Sequence, residues 1–277
     1  MKIAESNGTK LAYEVAGEGS PVLLVMGLAA RARAWDLQFE ALSQHHRVVR
    51  FDNRGIGKSA PVTGLTSMKQ MAADALGLMD HLGWETAHVA GVSMGGMISQ
   101  ELALMARERL RSLSLIATHP GNMLKSIPPV EGLRRFARVH MGPKQHRHRN
   151  LARLLFTDAH IEAVGEEHLI NRLSENFGTE PPPRATLLAQ LGAVLGHNTR
   201  RRLAALEGLP TLVIKPTLDL LVPPSGSDAL GELIPGARVV SVEGAGHGLM
   251  GQVPDEVNGL LLAHLAAVDE RGELTAT

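Results

Sequence analysis

The chain contains no cysteine. That excludes disulfide bridges, thiolate catalysis and cysteine-ligated metal centres. Aromatic residues make up only 3% of it, which argues against an extended stacking platform for polyaromatic ligands. Formal net charge is zero, with 28 basic and 28 acidic side chains, so no global field favours nucleic acid or an anionic membrane. Apolar runs long enough to span a bilayer are also missing. The first residues, Met1 to Gly8, lack the apolar centre of a signal peptide, and a cytoplasmic location is expected.

What is present is a globular composition, 44% hydrophobic and 20% charged over 277 residues. This suits one large α/β core carrying an insertion. Asn7-Gly8 predicts a hairpin between Lys2–Glu5 and Leu11–Val15. Short apolar strands are predicted at Val22–Met26, Arg47–Phe51, Ala87–Val92 and Leu113–Ala117, with helices between them. Strands resume at Thr211–Ile214 and Ala237–Val242, and an amphipathic helix from Pro254 to about Val268 closes the pattern. Between residues 122 and 207 only helical stretches occur, at Glu131–Arg138, Asn150–Phe156, Ile161–Phe177 and Ala185–Leu206. The expected fold is therefore a mostly parallel, doubly wound sheet formed by residues 1–121 and 208–277, with 122–207 as an inserted helical cap.

The strand Ala87–Val92 runs into Gly91-Val-Ser93-Met-Gly95-Gly96 and then into a helix starting near Met94. A serine on so sharp a turn projects its hydroxyl from the sheet end, and flanking glycines leave room for it. Gly-x-Ser-x-Gly can arise by chance in a chain with 29 glycines, so its partners matter more than the motif. Catalytic groups in an open α/β sheet gather beyond the carboxyl ends of the strands. After Val242 comes Glu243-Gly-Ala-Gly-His247, a histidine on a glycine-rich loop that could reach Ser93. A lone histidine is usually structural, and this chain has 13; position singles out His247. After Ile214 comes Asp219, which could orient the imidazole; its plainer reading is a turn aspartate. The strand ending at Ala117 leads into Thr-His-Pro-Gly and offers no carboxylate, and Glu243 belongs to a strand end. The order Ser93, Asp219, His247 is the one expected for a serine held on such a turn. Oxyanion donors are expected at the backbone N–H groups of Met94 and Leu28, the latter beside Gly27.

These residues together resemble the α/β-hydrolase fold over nearly the whole chain. The matching stretches are Val-Met-Gly-Leu28, Phe-Asp-Asn-Arg-Gly-Ile-Gly-Lys-Ser59, Gly-Val-Ser-Met-Gly-Gly96, Leu-Asp219 and Gly-Ala-Gly-His247. The resemblance implies that the Asp52–Ser59 loop is architectural. Met26 stands where many relatives carry histidine; this Met-Gly form resembles a bacterial, methylesterase-like subgroup of serine esterases.

The expected reaction is hydrolysis of a carboxylic ester through an acyl-enzyme, without cofactor or metal. A lactonase, thioesterase, C–C bond hydrolase or perhydrolase could use the same triad, and a non-catalytic ligand receptor is a further alternative. The partner is then a small ester or lactone, not nucleic acid or membrane. An apolar acyl pocket is expected from Leu28, Met94, Leu220, Leu221, Met123 and Phe156. Between Glu131 and Asp158 the sequence has no acid but carries Arg134, Arg135, Arg138, Lys144, Arg147, Arg149 and Arg153. That segment reads either as a solvated helix face or as an attractor for anionic substrate.

Overall fold

Asn7 and Gly8 both take positive φ, 46° and 72°, and close the hairpin between β1 (Lys2–Ser6) and β2 (Thr9–Ala16). The other strands are β3 (Pro21–Val25), β4 (Arg47–Phe51), β5 (Ala87–Val92), β6 (Leu110–Ile116), β7 (Thr211–Pro216) and β8 (Arg238–Val242). The computed structural model describes residues 1–121 and 127–276, and in these the strands form one sheet in the order β1-β2-β4-β3-β5-β6-β7-β8. Only β1 and β2 run antiparallel to their neighbours; β4, β3, β5, β6, β7 and β8 are parallel.

The helices are α1 (Asp36–Leu42), α2 (Met68–His81), α3 (Met94–Met105), α4 (Val130–Met141), α5 (Arg147–Leu155), α6 (Asp158–Val164), α7 (Glu166–Phe177), α8 (Arg184–Leu195), α9 (Ser225–Leu233), α10 (Leu249–Gln252) and α11 (Pro254–Ala276). Ser67 caps α2 by accepting from the Gln70 N–H. Alternation along β3 shows why the sheet is wound on both faces. Leu23 and Val25 pack with Met71 and Leu78 of α2 and Ile98 and Leu102 of α3. Val22 and Leu24 point the other way, into a core shared with Trp35 and with Val257, Leu261 and Leu265 of α11. None of the described helices is long and apolar enough to cross a membrane.

Helices α4 to α8 all lie between β6 and β7. The periodicity predicted one helix over Ile161–Phe177, but Gly165 at φ 88° separates α6 from α7. A β-carbon is disfavoured there, and the glycine lets the chain turn between two helices. The predicted helix Ala185–Leu206 also stops early, at Leu195. Beyond it Asn198 bridges to Gly121, and the Thr199 N–H donates to the Pro120 carbonyl at 2.9 Å, so pairing with the end of the β6 loop replaces helix continuation. Helix α9, which the apolar pattern did not predict, follows Pro223-Pro224.

The insertion has two packing allegiances. Val139, Leu151, Leu154, Phe156, Leu169 and Leu173 form a small core of their own from α4 to α7. Ala193 of α8, with Leu203 and Leu206 after it, joins the main core against the sheet.

Candidate active site

Strand β5 is buried throughout and delivers Ser93 at φ 55°, ψ −122°, the residue before α3. A non-glycine residue in this region costs about 1–3 kcal/mol and persists only where its surroundings hold it. Here they do. The Ser93 N–H donates to the Ile116 carbonyl at 2.9 Å, and the Ser93 carbonyl accepts from the Thr118 hydroxyl at 2.7 Å and the Gly96 N–H at 2.9 Å. The glycines are needed for contact. A β-carbon on Gly95 would lie 2.0 Å from the Val25 carbonyl oxygen, and one on Gly91 2.4 Å from that of Gly95.

His247 follows β8 on a loop fastened at both ends. The Gly246 N–H donates to Gln252 Oε1 at 3.0 Å, and the Gly248 N–H to the Leu155 carbonyl of α5 at 2.7 Å. Its Nδ1 lies 2.7 Å from Asp219 Oδ2. A carboxylate can only accept, so Nδ1 carries the proton and Nε2 keeps its lone pair. Asp219 is buried after β7, and its other oxygen accepts from the Leu221 and Val222 N–H groups at 2.7 and 2.8 Å. His119 stands near this carboxylate, but burial drives its pKa down to about 4 despite the attraction of Asp219.

Ser93 and His247 both line one cavity of about 130 Å³, and Leu28 lies on the same wall. Met94 opens α3, so its N–H has no acceptor within the helix. The loop carrying Leu28 is held by side chains from two distant segments. Asn53 Nδ2 donates to the Met26 carbonyl at 2.8 Å, and Gln190 Oε1 accepts from the Ala29 N–H at 3.0 Å. Asp52 Oδ1 accepts from the Ala32 N–H at 2.7 Å. Asp52 and Asn53 were legible as an architectural loop. Gln190 was not, because a glutamine within an apolar helix carries no signal of which backbone it will meet.

Of the residues expected to line the acyl pocket, Phe156, Leu221 and Leu28 do. Leu220 does not: its carbonyl backs onto α4, where a β-carbon on Gly132 would lie 1.7 Å away. The Met94 side chain is buried in the main core instead of facing the cavity. Met123 lies outside the described residues. The remaining wall comes mainly from the insertion, including Phe136, Val139, Leu151 and Phe177. The basic segment also resolves into parts. Arg135 pairs with Glu131 and Asp158, Arg149 and Arg153 with Glu166, and Lys144 with Glu180. Arg147 turns inward and lines the cavity.

A family model described as the alpha/beta hydrolase fold matches residues 20–252. The chain belongs to the α/β-hydrolase-fold family. Within that family it is 33% identical over 276 residues to RutD of Azorhizobium caulinodans, a protein named as a carbamate hydrolase, covering 98% of this chain and all of that one. It superposes on the enol-lactonase from Burkholderia xenovorans with a TM-score of 0.83 and 26% identity, over 96% of this chain and 100% of the other. A thermophilic esterase from Thermogutta terrifontis, solved with malate bound, gives a TM-score of 0.79 and 28% identity, over 97% and 99% of the two chains. The fold expected from the sequence is the fold observed, and hydrolysis is the chemistry shared by these relatives.

Proposed function

We propose that this hydrolase cleaves carboxylic esters through an acyl-enzyme, with Ser93 as nucleophile, His247 as base and Asp219 as the group that orients the base. Ser93 Oγ attacks the ester carbonyl while His247 Nε2 takes its proton. The N–H groups of Leu28 and Met94 receive the charge that develops on the carbonyl oxygen. The imidazolium, stabilised by Asp219, then protonates the departing alcohol. In the second half His247 removes a proton from water, which attacks the acyl group and frees Ser93.

The observation that carries this reading is the 2.7 Å hydrogen bond from His247 to Asp219 on the wall of the cavity into which Ser93 opens. Pinning Ser93 at positive φ through Ile116 and Thr118 is a costly arrangement for a turn with no chemistry to perform. An organophosphonate trap provides the test. Wild-type protein should gain one covalent adduct on Ser93, and Ser93→Ala should gain none and lose at least about 10³-fold in turnover of 4-nitrophenyl esters. Labelling at another residue, or unlabelled wild type, would refute the assignment.

Lactone opening is the second reading, favoured by the superposition on an enol-lactonase. It uses the same steps, except that the leaving alcohol stays tethered to the acyl group. Comparing kcat/KM for a lactone and its open-chain ester separates the two.

A further inference from the structure

Among the described residues, two arginines line the Ser93 cavity and no acidic side chain does. Arg147, at the start of α5, is only 6% exposed. Its guanidinium donates to the Gly178 carbonyl at 3.1 Å and approaches His148 at 3.3 Å, but among the described residues it forms no ion pair. Burial pushes its pKa below the usual arginine value, and Glu180, which pairs with Lys144, counters this only by attraction. Arg172, on α7, has neither an ion pair nor a side-chain hydrogen bond among the described residues. Its guanidinium lies over α10, where a β-carbon on Gly251 would come within 3.4 Å of Nη2. That is four residues beyond His247.

The contrast with neighbouring arginines is informative. Arg135, Arg149 and Arg153 of the same insertion all find carboxylates at its surface. The two on the cavity share its wall with Phe136, Leu151, Phe156 and Phe177 instead. An unpaired cation among apolar side chains is destabilising unless an anion joins it. Guanidinium groups suit a planar carboxylate, which they can hold through paired N–H donors.

We propose that the substrate is an ester bearing a free carboxylate, and that Arg147 and Arg172 bind this carboxylate while Ser93 attacks the ester carbonyl. This rests on the serine-hydrolase reading above and names its substrate class. The bond cleaved is unchanged. The arginines supply orientation and charge neutralisation, and they take no part in proton transfer. Placement on the insertion, with Ser93 and His247 on the core, makes the cavity a two-sided recognition site.

The test pairs substrates of equal reactivity that differ in charge. Mono-4-nitrophenyl adipate and its methyl ester place the carboxylate on the acyl side; 4-acetoxybenzoate and its methyl ester place it on the leaving group. Wild type should prefer the anionic member of one pair, and Arg172→Gln should lose roughly 10- to 100-fold in kcat/KM for that member alone, mainly through KM. Arg172→Lys should recover part of the loss, because charge remains but the planar fork does not. Phosphonate labelling of Ser93 should be unaffected in both variants, which keeps folding and nucleophile under control. A wild type that labels at Ser93 and hydrolyses neutral esters without preferring either anionic member overturns the carboxylate site and leaves the hydrolase reading standing. Equal losses on charged and neutral esters in Arg172→Gln overturn it too. Absence of labelling and of turnover removes both.

Discussion

Asp219 uses its two oxygens for different tasks. Oδ1 is committed to the Leu221 and Val222 N–H groups and Oδ2 to His247. In Asp219→Asn the amide oxygen would stay on the two backbone donors, so the NH₂ would face His247. The imidazole would then accept at Nδ1 and carry its proton on Nε2, where it cannot act as base toward Ser93. A loss of about 10⁴-fold in kcat is expected with little change in fold, measured by steady-state kinetics beside far-ultraviolet circular dichroism. A loss below tenfold would mean that Asp219 only shapes the turn. At this scale the positions of Ser93, Asp219 and His247 were legible in the sequence, because each follows a strand end. Those of Gln190 and Arg172 were not, since what each meets depends on which distant surface its helix packs against.

At the scale of elements, strand–turn–helix segments were the most legible, since β5 and α3 are specified by local apolar patterning and by the glycines between them. The insertion was less legible. Apolar periodicity continues across Gly165, yet the chain turns there, so that α6 and α7 pack on each other and both on α5. Its separate small core predicts separate behaviour. Leu169, 1% exposed, sits in that core and away from the sheet. Leu169→Ala should cost about 2–5 kcal/mol through the cavity it leaves. Hydrogen exchange should then accelerate across α4 to α7 while β3, β5 and β6 keep their protection. Uniform acceleration would show that the insertion and the sheet unfold as one unit.

For the whole molecule, buried histidines set the response to acid. Burial lowers the pKa of His88, His119 and His264 to about 4 and that of His197 to about 3. For His88 burial outweighs the hydrogen bond that its Nε2–H donates to Asp269. The folded protein therefore holds these rings neutral, whereas the unfolded chain binds protons near pH 6.5. Their contribution to stability is complete above that pH and is lost as pH falls toward the folded values. The melting temperature should drop between pH 6.5 and 5, with each ring contributing up to roughly 1.4 kcal/mol per pH unit. His197, whose ring is buried and whose pKa is the lowest of the four, makes the test specific. His197→Leu should have a shallower drop over that interval in thermal denaturation at fixed ionic strength; an unchanged slope would contradict this account.

The sequence by itself determined the layer order of the core and the residue types at the strand ends, because both follow from local periodicity, turn chemistry and the direction of parallel strands. It therefore placed Ser93, Asp219 and His247 beyond strand ends before any contact was known. Tertiary structure decided everything that depends on packing between distant segments. It brought Asn53 and Gln190 onto the loop before α1, turned Leu220 away from the cavity, and joined α8 to the main core. It also split one basic stretch into surface ion pairs and an inward arginine, a choice governed by where acids on other helices fall in space.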